Sequence, residues 1–496
     1  MDEFHISDEV YNQVKNFQRL TLTNEQGLLI NKIIPSKLYN KYIQYGLCER
    51  CKQIRTHYTW CQTCNSLIFK ENFKNWTSGN DNIDKFIQES QIKATEYWQV
   101  LEWIDYSQFS KIKYIAKGGF GTVYTAIWRE GYISSWDNKL KTWNRDKQNY
   151  RVALKCLNNS QILIQEFSKE VKFHSELNYL PNYIKCYGIS QDPDTKNYIM
   201  VMDYAPRGSL RNFLNENYHD MKWKDKILYI AWIIDGLKDI HEKDIIHKDF
   251  HSGNILIKDE HNFCIGDLGL CEIDDEKSDK KDKKVYGVLP YVAPEVLKGQ
   301  RYTKAADIYA FGIICHEIIT GLPPYCDIPH NQFLALKICS GLRPQSKNYH
   351  VPQLLLDTMK QCWDADPLKR PNVAQLKKIY SNLFVGITAE RREHDPFSNQ
   401  EPDEIGISKQ CIQADEINKK KVQINSKISY QTHPQAVYTS RLFNYKKPSV
   451  TKEFDIPDSL HFDLDNFEKC DDDDDDDDEP EILVPEDDNY DTGISA

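Results

Sequence analysis

With 496 residues, the chain is long enough for two or three domains and at least one sizeable core. Its formal charge of −11 belongs to one end: Glu453 to Ala496 holds 20 acidic residues against one lysine, a net of −19, which leaves a mildly basic body at +8. No stretch reaches the ~18 consecutive apolar residues of a membrane helix, and the opening MDEFHISDEV lacks the basic and apolar regions of a secretory signal. The 14 cysteines are therefore expected mostly as thiols in a reducing cytoplasm, with the nucleus as the alternative.

Residues 1–47 carry short helical patterns, among them Leu28, Leu29, Ile33 and Ile34. The segment CERCKQIRTHYTWCQTC then sets Cys48, Cys51, Cys61 and Cys64 as two CxxC knuckles, 48–64, separated by nine residues. Each knuckle delivers two thiolates from one turn, so the pair predicts a closed, structural zinc site with no open position for catalysis. A redox disulfide accounts for one CxxC and not for two. His57 lies between the knuckles as a weaker alternative ligand, and three bases, Arg50, Lys52 and Arg55, are too few to argue for nucleic acid. Residues 65–106 are expected as a helical linker, with Ile83, Phe86, Ile87, Trp98 and Leu101 at near-helical spacing.

From 107 to 385 the apolar residues are dense and turn signals regular, as in one folded domain. YIAKGGFGTVY is a glycine-rich turn between β-prone runs, in which Gly118 and Gly121 let backbone amides approach a ligand, as cradling phosphates requires; an ordinary glycine hairpin reads the same way. In RVALKCL, Lys155 sits inside a strand-like run and needs an anionic partner, because an unpaired charge there is costly. The following IQEFSKEVKFHSEL puts Phe167, Val171 and His174 on one helical face and Glu166 and Glu170 one turn apart, with Glu170 the favoured partner. IIHKDFHSGNIL sets Asp249 five residues before Asn254, suited to a carboxylate that handles a hydroxyl proton and an amide that holds a metal. CIGDLGLCEI adds Asp267 between two glycines.

Together these motifs resemble a eukaryotic protein kinase, whose strand sequence VALK is repeated here. VALKCLNNSQ, YGISQDPDTKNYIMVMDYAPRGSLRNFL and GLKDIHEKDIIHKDFHSGNILI, with CERCKQIRTHYTWCQTC and HPQAVYTSRLFNYKK, resemble in particular the tyrosine-kinase-like branch as expanded in arbuscular mycorrhizal fungi. The resemblance implies an α+β, bilobal fold: a small β-rich lobe with one main helix above a larger helical lobe. It implies ATP and Mg²⁺ as cofactors and proteins as substrates. Lys155 would contact the α and β phosphates with Glu170 orienting it, and Val123 and Ala153 would cover the adenine. Met202 would be the gatekeeper, with Asp203 to Ala205 offering backbone groups. Asp249 would orient and deprotonate the acceptor, while Asn254 and Asp267 would each hold Mg²⁺.

Several positions depart from that pattern. Ala116 stands for the first loop glycine, Leu268 for a Phe, and Lys248 for an Arg, which loses the planar fork that pairs with a phosphorylated activation residue. His251 replaces the Lys usual in Ser/Thr kinases, and Val288 stands where that Lys would find its Thr. With the AAR of Tyr kinases also absent, Ser/Thr or dual specificity is the expectation. Glu295 of APE should pair with Arg370, and Asp307 should brace the catalytic loop. Ser278 is the sole Ser or Thr in the polar run from Cys271 to Gly287. The insertion 129–151, with Trp136 and Trp143, is too apolar for a loop tip and predicts packing on the small lobe or on a partner.

Beyond Gly386 periodicity fades, and 386–496 is expected to be mostly disordered, above all the run Asp471 to Asp478. Contact of this acidic tail with the catalytic body or a partner is the minority expectation. The alternative to an active kinase is a pseudokinase scaffold docking partners through the zinc module and tail; a small-molecule kinase would lack the APE, DIYAFG and KRP braces.

Overall fold

The computed structural model describes residues 5–119, 121–158, 160, 164–259, 262–274, 284–345, 349–389, 409–418 and 431–443. Ser278 and the run 471–478 lie outside them; of 386–496, expected to be mostly disordered, 386–389, 409–418 and 431–443 are described, the first two helical and the last ending in a strand.

Three short helices open the chain: α1 (Asp8–Val14), α2 (Asn24–Ile33) and α3 (Ser36–Tyr45). α2 starts where it does because Thr23 and Gln26 form a reciprocal capping box, each side chain accepting from the other's backbone N–H. Ile6, Val14, Ile30, Ile34 and Tyr42 close a small core of their own. The first cysteine knuckle follows, turning at Lys52 with φ of 57°, and the second runs into α4 (Gln62–Asn72). α5 (Asp81–Lys93) packs beside α4, its first turn capped by the Asn80 side chain.

The small lobe is a six-stranded sheet. Its strands are β1 (Glu102–Trp103), β2 (Phe109–Lys117), β3 (Gly121–Trp128), β6 (Tyr150–Leu157), β7 (Cys186–Gln191) and β8 (Tyr198–Asp203), with the hairpin β4 (Tyr132–Asp137) and β5 (Thr142–Asp146) inserted between β3 and β6. The sheet order is β1-β7-β8-β6-β3-β2, antiparallel except where β1 joins β7. The helix α6 (Ile164–Leu177) lies against it, and Phe167 and Val171 share one buried cluster with Met200 of β8 and with Ile83 and Ile87 of α5. The segment before the sheet thus contributes to the same buried cluster as the helix that carries Glu170. The insertion touches both the small lobe, where Tyr132 stacks on Tyr187 of β7 at 5.2 Å, and the module before it. Trp143 stacks on Phe69 and Trp60 at centroid separations of 4.5 and 5.7 Å, joining the hairpin to the cysteine module.

The large lobe is built from α7 (Leu210–Asn217), α8 (Trp223–His241), β9 (Ile245–Ile246), the hairpin β10 (Ile255–Asp259) and β11 (Asn262–Ile265), β12 (Glu272–Ile273), β13 (Val285–Gly287), α9 (Pro294–Leu297), α10 (Lys304–Thr320), α11 (Gln332–Cys339), α12 (Gln353–Cys362) and α13 (Val373–Ala389). One continuous core fills it, around an α10 that is buried on every side. The bilobal α+β architecture is the expected one. Two further pieces return to this lobe: residues 409–418 are helical, and Asp415 caps the start of α8 by accepting from the Trp223 N–H at 3.0 Å. Farther on, β14 (Arg441–Phe443) pairs antiparallel with β13.

Candidate active site

The loop from His247 to Asn254 is held from below. Asp307, in the first turn of α10 and 2% exposed, accepts the backbone N–H groups of His247 and Lys248 at 2.8 and 3.1 Å and meets His241 Nε2 at 3.0 Å. That grip holds Lys248 at φ of 68°, a left-handed conformation unfavourable for a side-chain-bearing residue. The Asp249 N–H donates to His247 Nδ1 at 3.3 Å, which assigns the ring proton to Nε2, facing the Gly266 carbonyl at 3.3 Å. Burial keeps this imidazole below its usual pKa and therefore neutral, despite nearby carboxylates. Asn254 donates its side-chain amide to the Asp249 carbonyl at 2.9 Å and to Asp249 Oδ2 at 3.3 Å.

Lys155 of β6 converges on the same point from above. Its ammonium lies 2.6 Å from Glu170 Oε1 and 2.8 Å from Asp267 Oδ1. Burial opposes the charge on Lys155, but the two carboxylates outweigh it and hold the ammonium well above its ordinary pKa. Burial likewise pushes Asp267 up, yet Lys155 brings it down to about 2, whereas Glu170 is left raised. Asp267 adopts φ of 53°, and a Cβ on Gly269 would stand 3.1 Å from Glu170 Oε2, so a side chain there would crowd the ion pair.

The glycine loop roofs this cluster. Gly118 N–H bonds to Gly121 O at 2.8 Å, and a Cβ on Gly121 would sit 2.4 Å from the Cys156 carbonyl, a contact only glycine tolerates. Ala116 is paired with Val123 inside the β2–β3 ladder, so its methyl group is accommodated there. Val123 pairs with Lys155, and Ala153 with Met202. Met202, Ala153 and Ala205 belong to one apolar cluster together with Leu256, a floor residue that sequence reasoning passed over although it ends the quoted IIHKDFHSGNIL. Asp203 spends its N–H on Lys185 O at 2.9 Å and its carboxylate on Lys258 Nζ at 2.7 Å, so its side chain is structural. Lys248 pairs with Glu272 at 2.8 Å.

A further element occupies the open side. The Ser440 hydroxyl donates to Asp249 Oδ2. His251 Nδ1 accepts the Gly253 N–H at 3.1 Å, so its Nε2–H faces outward, 3.5 Å from Asp249 Oδ1 and 3.4 Å from Ser440 Oγ. Burial works to raise the Asp249 carboxyl, but His251 and Ser440 together bring it below the usual carboxylate range.

Away from the cleft, the four sulfurs of Cys48, Cys51, Cys61 and Cys64 all lie within 4.8 Å of one another, with Cys48–Cys64 at 3.7 Å and Cys51–Cys61 at 3.5 Å. A tetrahedron with Zn–S bonds of ~2.3 Å has edges of ~3.8 Å, so the donor set fits zinc. His57 stands apart from them, packed among Tyr45, Tyr58 and Trp98.

The family described as protein tyrosine and serine/threonine kinase matches residues 109–380, more than half of the chain. The chain belongs to this kinase family. Relatives of the kinase include a probable serine/threonine-protein kinase of Dictyostelium discoideum, 30% identical over 287 residues, which are 57% of this chain and 20% of that one. Others are the probable serine/threonine-protein kinase drkB of the same organism, 29% identical over 301 residues (59% of this chain, 39% of drkB), and the L-type lectin-domain containing receptor kinase S.1 of Arabidopsis thaliana, 26% identical over 339 residues (61% and 48%). The matched part thus spans between a fifth and a half of these relatives. In the kinase, Leu268 is fully buried in the large-lobe core, which the usual Phe would also serve. Glu295 and Arg370 form the buried, two-pronged pair expected of APE and KRP, both contacts at 2.7 Å. Among the described residues no helix is long and apolar enough to cross a membrane.

Proposed function

We propose that the chain is an active, ATP-dependent protein kinase that phosphorylates serine and threonine. The observation that carries this reading is the double engagement of Lys155 with Glu170 and Asp267, together with an Asp249 in contact with a hydroxyl. Phosphoryl transfer needs a cation on the phosphates and a group that takes the acceptor's proton, and these residues would supply them.

In this reading Lys155, held by Glu170, binds the phosphates of ATP, and the amides of the glycine loop cradle them. Met202, Ala153, Ala205 and Leu256 provide the apolar walls for the base. Asp267 and Asn254 offer a carboxylate and an amide oxygen, the hard donors that magnesium prefers, in a cleft where three carboxylates face one ammonium. Mg²⁺ bound there would neutralise charge on the transferring phosphoryl group. Asp249 orients the acceptor hydroxyl and takes its proton. His251 Nε2–H lies beside both, where a lysine would otherwise supply a donor, so it positions the hydroxyl and stabilises the carboxylate.

The preference for Ser and Thr follows from depth. The β13–β14 pairing holds an acceptor backbone close enough to the loop for the short Ser440 side chain to reach Asp249. A tyrosine on the same backbone would carry its hydroxyl several ångströms too far. With Mg-ATP and peptide libraries centred on Ser, Thr or Tyr, the full chain is expected to label the first two and leave the Tyr library unlabelled. Tyr labelling as fast as Ser would overturn this assignment.

The module at 48–64 is read as a structural zinc site, and zinc analysis of the purified chain should give one ion per molecule, lost in Cys61→Ser together with part of the thermal stability. A stoichiometry near zero in a folded, zinc-supplemented preparation would refute it. The domain limits 107–385 for the catalytic body, a cytoplasmic or nuclear site of action, and kinship with the mycorrhizal fungal set on the kinase-domain, cysteine-segment and HPQAVYTSRLFNYKK motifs together complete the reading.

A further inference from the structure

Residues 431–443 lie along the large lobe with the bonding of a bound peptide. The His433 N–H donates to Cys326 O at 2.8 Å, and the His330 N–H to Gln435 O at 3.0 Å. His330 Nδ1 accepts the Val437 N–H at 3.1 Å. The Tyr438 ring lies edge-on to His330, with Arg211 over it at 4.1 Å, and its hydroxyl is spent on Pro324 O at 3.0 Å. Arg441 donates to the His330 carbonyl. Past that point the chain becomes β14, registered Gly287 to Arg441, Tyr286 to Leu442 and Val285 to Phe443.

This track delivers one hydroxyl to the chemistry. Thr439 is exposed and Tyr438 is tied down, while Ser440 meets Asp249 and His251 and its backbone carbonyl lies directly under Gly119 of the glycine loop. A Cβ on Gly119 would come within 2.1 Å of that carbonyl, so the loop and the strand are closely apposed. An extended segment, paired to a strand edge and presenting one side chain to the reactive group, is strand-addition recognition of a peptide.

We propose that Ser440 is a phosphoacceptor in cis: the chain's own segment 431–443 occupies the peptide groove as a tethered substrate, is phosphorylated on Ser440, and then leaves the groove to external substrates. The inference rests on the kinase reading above. In the step itself, Ser440 Oγ forms a bond to the γ phosphorus of ATP and passes its proton to Asp249. The bond from that phosphorus to the β–γ bridging oxygen breaks, and its electron pair leaves with ADP. The product carries ~1.5–2 negative charges beside the Asp249 carboxylate, which repels it and weakens the docked strand. Tethering makes the reaction unimolecular, so its rate does not depend on protein concentration.

The test uses the full chain, first treated with phosphatase, then given Mg²⁺ and γ-labelled ATP at several protein concentrations, with phosphopeptide mapping and a serine peptide library as external acceptor. The expected result is label on Ser440 at a first-order rate common to all concentrations, followed by a several-fold rise in library labelling. Ser440→Ala should lose that phosphopeptide and the rise, while its library labelling reports that it has folded. A labelled library with no label on Ser440 would overturn the proposal and leave the kinase reading standing. A Ser440 rate that grows with protein concentration would overturn action in cis. Absence of label from both acceptors would overturn the kinase reading and this inference with it.

Discussion

Asp249→Asn lowers the rate of phosphoryl transfer by about 10²–10⁴-fold, the usual worth of a positioned general base, and leaves the protein folded. The substitution is nearly isosteric, so the loop it sits in keeps its own supports. Asp307 still holds the backbone of His247 and Lys248, and Asn254 still donates to the residue-249 carbonyl. What changes is the group facing the acceptor. A carboxylate held in its charged form below its usual range can take a hydroxyl proton; an amide oxygen at the same place cannot. Initial rates on a serine peptide, read beside thermal unfolding of both proteins, separate lost chemistry from lost structure. Equal rates would remove Asp249 from the mechanism.

Arg370→Leu destabilises the large lobe by about 3–5 kcal/mol, the range for removing one partner of a buried ion pair. The Arg370 side chain is buried, forks onto both Glu295 oxygens, and also donates to Asp364 O at 2.9 Å and Ala305 O at 2.8 Å. Its loss strands the 6%-exposed Glu295 and two carbonyls. The contrast is Lys377–Asp235, where both side chains are about one-third exposed and an equivalent truncation should cost ~1 kcal/mol or less. Denaturant midpoints of the two variants against the parent chain check the difference. An Arg370→Leu shift no larger than that of Lys377→Ala would show that the buried pair contributes nothing special to the lobe.

The parts legible in the sequence are those whose chemistry is local. Asp249, Asn254 and Asp267 stand at fixed spacing because one loop and one hairpin carry all three, and Lys155 declared itself as a charge within an apolar strand. Glu170 was one of two candidates a helical turn apart, and periodicity narrowed the choice without deciding it. Long-range partners left no such trace. Trp143 was expected to pack on the small lobe or on a partner, but no spacing could name Trp60 and Phe69, some 70 to 80 positions earlier, as the rings it stacks on. Ile83 and Ile87 read as one helix's apolar face, with nothing to say that the face joins the cluster that Glu170's helix also enters. Ser440 lay inside the quoted HPQAVYTSRLFNYKK, but nothing in that stretch said where it docks. It has no periodicity, and much of its hold on the lobe is backbone hydrogen bonding, which every sequence can offer, with Tyr438 and Phe443 as its apolar anchors.

The most direct measurement is a single turnover: chain in excess over γ-labelled ATP, with Mg²⁺ and a saturating serine peptide, stopped on a millisecond-to-second scale. With the chain first treated with unlabelled Mg-ATP and then freed of nucleotide, so that Ser440 is already phosphorylated and its segment has left the groove, the label should pass from ATP to peptide serine mole for mole as ADP appears. Label that stays on ATP in a folded chain, or ends as free phosphate with the peptide bare, would contradict the assembly of Lys155, Asp267, Asn254 and Asp249 as a phosphoryl-transfer site.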